Sequence, residues 1–331
     1  VNILRYVRNV MSTIPTTFKN LNTTYTIIGG RKTGRIQKYF YPITFIILNR
    51  RGRFYRDRLI GEIYDKVEAE IIYVMSGSVS YDSEALLKKY PGIRVLIIKE
   101  EVTAGERVNI GIDESKSRFS FIMWDDMNLS TLGNLLKRIE NRETMDSMCV
   151  VPILKTKKLE TVPSIMVPGF MKRELKVLNW LPEKNGMFTI FPFDYCGLYD
   201  REKFLLVGGY DYTFKNSYWQ KLDFGFRSYM WGEKIECDTS ILVNYLEDLV
   251  PEDNTPDESY KYFYLKNIAV RFKRDMGVLP LSKLLGYMVR SDTGPLYAIH
   301  EFNQVRKWVK INRYRFKQDI LRVVDLWGIS Q

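Results

Sequence analysis

From residue 42 onward, short apolar runs alternate with amphipathic stretches. The runs 43–48 (ITFIIL), 70–75, 94–99 and 119–124 are β-like, and 54–66, 83–89 and 104–114 carry apolar residues at helical spacing. Strands separated by helices and short connections predict a parallel sheet covered on both faces. Ligands of such sheets sit beyond the carboxyl ends of the strands. Four polar segments fall there: Asn49-Arg50-Arg51, Ser76-Gly77-Ser78, the turn at 100–105 and Asp125-Asp126-Met127-Asn128.

Further along, a helix is predicted over 131–141 with Ser130 as its N-cap. Residues 149–193, rich in Pro, Lys and aromatics, show weak periodicity and read as irregular. Helices follow at 201–207, closed by Gly208-Gly209, at 218–231, and at 258–276 behind a Pro256-Asp257 cap. Leu296, Ile299, Phe302, Val305 and Val309 recur at helical spacing, with Arg306, Lys307, Lys310, Arg313 and Arg315 mostly elsewhere around the helix. The apolar face of this basic helix either packs on the rest of the chain or on a second subunit or, helped by Trp308 and Trp327, rests on an anionic membrane surface. The expected organisation is a polar leader (1–41) packed on the core, an α/β domain (42–277) and a helical basic extension (278–331).

The 331 residues carry a formal net charge of +11, which favours anionic partners such as a nucleotide diphosphate or lipid headgroups. No recognised nucleic-acid motif accompanies the charge, so nucleic acid is not an expected partner. Cys149, Cys196 and Cys237 are too few and too scattered for a disulfide framework or a zinc cluster and read as buried free thiols. A single histidine, His300, excludes multi-histidine metal sites. Val1 opens the chain, leaving room for an upstream segment. The first residues lack the apolar block of a secretory signal, and no run is long enough to span a bilayer, so a cytoplasmic protein is expected, with peripheral membrane contact as an option.

Several motifs in order resemble family 2 glycosyltransferases over 43–276. ITFIILNRR is similar to the family's opening strand and polar turn, VMSGS to its V-D-D-G-S turn, Asn109-Ile110-Gly111 to part of A-R-N-x-G, and FSFIMWDDMN to the strand that enters its acidic turn. CGLYDREKFLLVGGYD resembles the family's G-x-x-x-x-R-x-x-F-x-x-x-G-G-[FY]-D stretch, and WQKLDFGFR its W-x-E-D-x-D-F-G-x-R helix. The aromatic and basic YKYFYLKNIAVRFKRD resembles the helix that follows.

The resemblance implies a GT-A fold: a mostly parallel twisted sheet flanked by helices, Rossmann-like in its nucleotide-binding half, with a helical C-terminal extension. It further implies transfer of a sugar, with inversion, from a nucleotide diphosphate (a UDP-sugar foremost) to a saccharide or lipid-linked acceptor hydroxyl. The departing phosphate needs positive charge, supplied in such enzymes by a divalent cation, Mn²⁺ or Mg²⁺. Asp125, Asp126 and Asn128 are the candidate metal ligands; the alternative is that the two acids cap the next helix. Asn49, Arg50, Ser76, Arg107, Asn109 and Asp125 are candidate nucleotide contacts, and Arg50, Arg51 and Arg53 are either phosphate contacts or a solvated basic face. Gly208, Gly209 and Trp219 are candidate acceptor contacts.

The sequence departs from the family where chemistry is needed. Gln220 and Lys221 occupy the Glu-Asp pair that normally supplies the base, Met75 and Ser76 replace the base-binding acids, and Asn244 or Tyr245 stands where a late metal histidine is common. Asp223 is the replacement candidate for the base, with pairing to Arg227 one turn on as its structural alternative. Lys221 is a candidate contact for an anionic acceptor or phosphate. These losses keep open a catalytically weak or inactive relative that serves as a binding or scaffolding subunit.

Overall fold

The computed structural model describes residues 23–30, 41–51, 53–76, 83–140, 146–172, 174–291 and 294–327. Among the described residues the strands are β1 (Tyr25–Gly29), β2 (Tyr41–Leu48), β3 (Glu70–Ser76), β4 (Arg94–Ile98), β5 (Ser117–Trp124), β6 (Met127–Leu129), β7 (Cys149–Lys155), β8 (Ile165–Met171), β9 (Glu174–Trp180), β10 (Gly197–Asp200), β11 (Ile235–Tyr245), β12 (Arg271–Lys273) and β13 (Met276–Val278). The helices are α1 (Arg53–Tyr64), α2 (Ser83–Lys89), α3 (Ala104–Glu114), α4 (Leu132–Glu140), α5 (Arg201–Val207), α6 (Ser217–Met230), α7 (Glu258–Phe263), α8 (Ser282–Arg290), α9 (Pro295–Asn312) and α10 (Ile320–Trp327).

Nine strands form one sheet in the order β1-β4-β3-β2-β5-β10-β7-β11-β6. The block β4-β3-β2-β5 is parallel throughout, and β7 and β11 run the same way, against β1, β10 and β6. A strand covered on both faces has no polar side to show, which is why β2 reads as an unbroken apolar run and is fully buried from Ile43 to Leu48. Its one polar member, Thr44, donates to Glu70 at 2.7 Å and shares a hydroxyl–hydroxyl hydrogen bond with Ser117 Oγ at 2.8 Å, closing the amino end of the sheet together with the Arg94–Glu70 pair.

Two helices set the opposite end. In α3, Thr103 and Glu106 form a reciprocal capping box, and Gly111 lets the helix lie against Ile46 of β2. Helix α6 is buried from Trp219 to Met230, as an element at the centre of a fold must be. Its Gly225 passes the chain at 190, where an added Cβ would lie 1.8 Å from the Ile190 carbonyl oxygen.

Several expectations need correction. Residues 25–29, inside the expected leader, form an edge strand on β4, anchored by hydrogen bonds from Thr24 to Glu100; the rest of 1–41, apart from 23–30 and 41, lies outside the described residues. The irregular section holds β7 and the β8–β9 hairpin. Helix α4 starts one turn position late: Ser130 Oγ accepts from the Asn244 side chain at 2.9 Å, and Thr131 Oγ1 accepts from Leu242 N. The helix expected over 258–276 stops at 263, passes through a π turn over 264–268, and gives way to the hairpin β12–β13. Arg274 and Asp275, both at positive φ, make its two-residue turn.

The C-terminal segment packs on the core. Phe302, Val305 and Val309 of α9 are buried, Trp327 of α10 lies 4.8 Å from Tyr229, and Trp308 stacks on Trp231. Leu296, counted on the apolar face, is instead exposed, as are Leu285 and Val289 of α8. No helix among the described residues is long and apolar enough to cross a membrane. All three cysteines are buried and free. Because the Gly225 contact is with backbone, Gly225→Ala is expected to lower unfolding free energy by about 2–3 kcal/mol, read by urea titration; an unchanged midpoint would show that the α6 packing yields.

Candidate functional site

The carboxyl ends of β2 and β5 bring Asn49, Arg50 and Arg51 against Trp124, Asp125 and Asp126. Asp125 is fully buried and surrounded by donors. Its Oδ1 accepts from the backbone amides of Arg50 (3.0 Å) and Arg51 (2.9 Å), and its Oδ2 from Asn49 Nδ2 (3.0 Å) and the Tyr73 hydroxyl (3.2 Å). Burial raises its pKa, and the two amides and Asn49 only partly offset that. Asp125 thus fixes the β2 turn rather than facing a ligand.

Asp126, 1% exposed, is clasped by two guanidinium groups. Arg50 meets it through Nε (3.1 Å) and Nη2 (2.8 Å), and Arg51 through Nε at 3.2 Å. The other side of Arg50 donates from Nη1 to Asp194 at 2.7 Å, and its plane lies 4.4 Å from the Trp124 ring centroid. Burial lowers the pKa of Arg50, but Asp194 and Asp126 outweigh it and hold the group firmly charged. Arg107 of α3 donates to the Asn49 carbonyl at 2.8 Å and also lies over Trp124.

Asp194 joins this cluster, and sequence reasoning did not single it out. Its carboxylate, 19% exposed, accepts from Arg50 and from the Tyr245 hydroxyl (2.9 Å), while its carbonyl accepts from Trp124 Nε1. Asp194 and Tyr195 both hold positive φ, a costly conformation for residues with side chains and one that gathers at functional sites. Of the two residues considered for the late histidine position, Tyr245 reaches the cluster and Asn244 turns to Ser130.

Other candidates fall elsewhere. Asn109 is committed to the backbone of Tyr210, accepting at 2.8 Å and donating at 2.6 Å, so its side chain is not turned to a nucleotide. Asp223, fully buried, pairs with Arg227 at 2.7 Å and accepts from Asn267 at 2.9 Å, which is the structural alternative and leaves it no open face as a base. Gly208, half-buried, and Gly209, buried, close α5 in the left-handed region, and the Gly209 carbonyl accepts from the buried Arg227. Trp219 is buried beside Tyr260 and Phe263. Ser76 ends β3, but its side chain and 77–82 lie outside the described residues, as does the Arg53 side chain. Asn128 sits in β6 opposite Asn244, and His300 lies beside Gln304 on α9.

These residues do not fit a divalent cation as arranged. Such a cation needs several free oxygen ligands with excess negative charge, whereas Asp125 has no free face and Asp126 is clasped by two arginines. Among the described residues no group of three or more His, Cys, Asp or Glu side chains is placed to hold a metal ion. Arg50 and Arg51 together balance the charges of Asp126 and Asp194.

Lys221 is 1% exposed, boxed by Phe191, Phe193 and Tyr195, and ion-paired with Glu252. Burial lowers its pKa to about 8, with Asp194 pulling the other way; the Glu252 pair likewise favours the charged form, and at pH 7 the group is protonated on either account. A separate pocket of about 350 Å³, lined in part by Tyr41, Tyr64, Lys66 and Ile93, opens at the amino ends of the parallel strands, away from this cluster.

No family model matches the chain, and no curated protein matches it in sequence. Solved structures do match. GalNAc-T7, crystallised with UDP, GalNAc and Mn²⁺, is 12% identical with a TM-score of 0.51, covering 82% of this chain and 57% of that one. S. aureus TarS 1-349 in complex with UDP-GlcNAc is 11% identical with a TM-score of 0.45, covering 80% of this chain and 71% of that one. The chain therefore spans a little over half the length of GalNAc-T7, and the likeness is one of fold: this is a GT-A sheet with its flanking helices.

The Lys221 environment has a pH signature. With the folded pKa below the unfolded one, the folded state holds fewer protons than the unfolded state between pH 8 and 10.5, so this group's contribution to stability rises with pH across that window. Relative to Lys221→Met, the native chain is expected to gain at most about 3 kcal/mol there, read by denaturant titration; a flat difference would mean that Glu252 fully compensates burial.

Proposed function

We propose that this chain is a glycosyltransferase related to family 2, moving a sugar with inversion from a nucleotide diphosphate, a UDP-sugar foremost, to a saccharide or lipid-linked acceptor. The observation that carries the reading is the guanidinium-lined rim at the carboxyl ends of β2 and β5, held by Asp125 within a GT-A sheet. A leaving diphosphate needs fixed positive charge at that place. Asn49 supports the nucleotide end by shaping the turn, and Arg107, above Trp124, is the α3 contact.

In the proposed step the acceptor oxygen bonds to the anomeric carbon as the bond from that carbon to the terminal phosphate oxygen breaks. The electron pair departs on the diphosphate, and the acceptor proton passes to a carboxylate. Asp194 is offered for that role over Asp223 because its carboxylate is partly exposed, whereas Asp223 is fully buried. The acceptor then approaches from the side of Lys221 and Glu252. Any lipid contact falls to the exposed apolar residues Leu285, Val289 and Leu296, since the inner face of α9 is covered.

A second reading, a binding or scaffolding subunit without turnover, is favoured by one observation: the position of the usual base carries Lys221, neutralised by Glu252. Hydrolysis of UDP-sugars by the purified chain separates the two. We expect turnover that falls by roughly 10²–10⁴ in kcat for Asp194→Asn, with donor Kd changed by no more than a few fold. Donor binding without any turnover by the native chain would favour the scaffold.

A further inference from the structure

We propose that Arg50, seconded by Arg51, takes the place of a divalent cation at this site, so that a nucleoside diphosphate is held by guanidinium groups without metal. The inference rests on the glycosyltransferase reading and goes beyond it, because it assigns the positive charge to the chain itself.

Three observations carry it. First, the acids expected to hold a cation are already committed: Asp125 to two backbone amides, Asn49 and Tyr73, and Asp126 to Arg50 and Arg51. A metal ion at Asp126 would have to displace two guanidinium groups from a carboxylate that is 1% exposed. Second, Arg50 is fixed as a preorganised cation should be. It lies between Asp126 and Asp194, with Trp124 4.4 Å from its Cζ and the Tyr245 ring 5.9 Å away. Third, it retains donors. A guanidinium has five N–H groups, and the bonds from Nε and Nη2 to Asp126 and from Nη1 to Asp194 use three, leaving one on each terminal nitrogen. Two N–H groups on neighbouring nitrogens match two oxygens of a phosphate.

Arg51 adds the second charge. It touches Asp126 through Nε only, and its side chain is 39% exposed. The formal charges of the two arginines equal that of a divalent ion but are balanced here by Asp126 and Asp194, so what the pair offers a diphosphate is directed N–H donors, with Asp126 as their positioning residue. The chemistry of transfer is unchanged by this: the electron pair of the broken bond still leaves on the terminal phosphate oxygen, now met by N–H donors.

The test uses the full chain stripped with EDTA and titrated calorimetrically with UDP, GDP, CDP, ADP and dTDP, then again in Mg²⁺ and in Mn²⁺. The expected result is that the best ligand binds with the same Kd to within about twofold in EDTA and in metal. Arg50→Ala is expected to weaken it roughly tenfold to a hundredfold, and Arg50→Lys, which keeps charge but loses the paired donors, about tenfold. If Arg50→Ala fails to fold by thermal unfolding, Arg51→Ala, whose side chain is more exposed, is expected to cost roughly severalfold in EDTA. Electron paramagnetic resonance of Mn²⁺ with protein and UDP provides a readout independent of affinity, and no protein-bound manganese is expected.

Binding that needs Mn²⁺ or Mg²⁺, a protein-bound manganese signal, or arginine variants that bind as the native chain does would overturn the proposal while leaving the glycosyltransferase reading in place. Absence of nucleoside diphosphate binding in every condition would overturn both.

Discussion

One buried carboxylate organises this molecule's working end. Asp125 closes β5 and takes the amides of Arg50 and Arg51, so the turn after β2 is set by hydrogen bonds to a charged acceptor with no access to water. Bonds to a charged acceptor are among the stronger ones a fold can make, and leaving such donors unpaired in the interior is costly. With that turn fixed, Arg50 and Arg51 are presented to Asp126, Arg107 bonds to the Asn49 carbonyl, and Trp124 provides the plane against which two guanidinium groups rest. A sheet with the same strand order but an apolar residue at 125 would leave the turn without its anchor.

The sheet half that bears this turn was readable because its physics is local. A strand buried on both faces must be largely apolar, and β2, β3, β4 and β5 are so over most of their length, with helices between them. The end of α5 was legible for the same reason, since Gly208 does there what its chemistry favours, while the caps Asp200 and Asn216 emerged only in the structure. What escaped was decided by partners distant in sequence. The short β6 exists because it pairs with β11, more than a hundred residues away, and β12–β13 turns on Arg274-Asp275, which carries none of the usual Asn-Gly signal.

The site was legible as a place and much less so as a set of roles. Position at strand ends pointed to Asn49, Arg50, Asp125 and Asp126, and all four meet. Their roles depend on which oxygen faces which donor, and that is fixed only when β2 and β5 lie side by side. Family likeness made Asp125 and Asp126 read as ligands for a cation, although the arginines that engage them were visible in another of the matched motifs, ITFIILNRR. Asp194 was hidden for another reason. It stands in an aromatic stretch without periodicity, in a left-handed backbone conformation that an aspartate followed by a tyrosine does not announce.

The segment from Leu246 to Thr255 joins two ends of this arrangement. At its start, Leu246 N donates to the Asp126 carbonyl; near its finish, the carbonyls of Asp253 and Thr255 accept from Asn216 and Trp219 at the head of α6. Between these moorings, Glu252 meets the ammonium of Lys221. The segment therefore acts as a strap with a counter-charge at its middle. It thus ties the backbone of Asp126 to the head of α6 and supplies the carboxylate that partners a lysine held in an aromatic box.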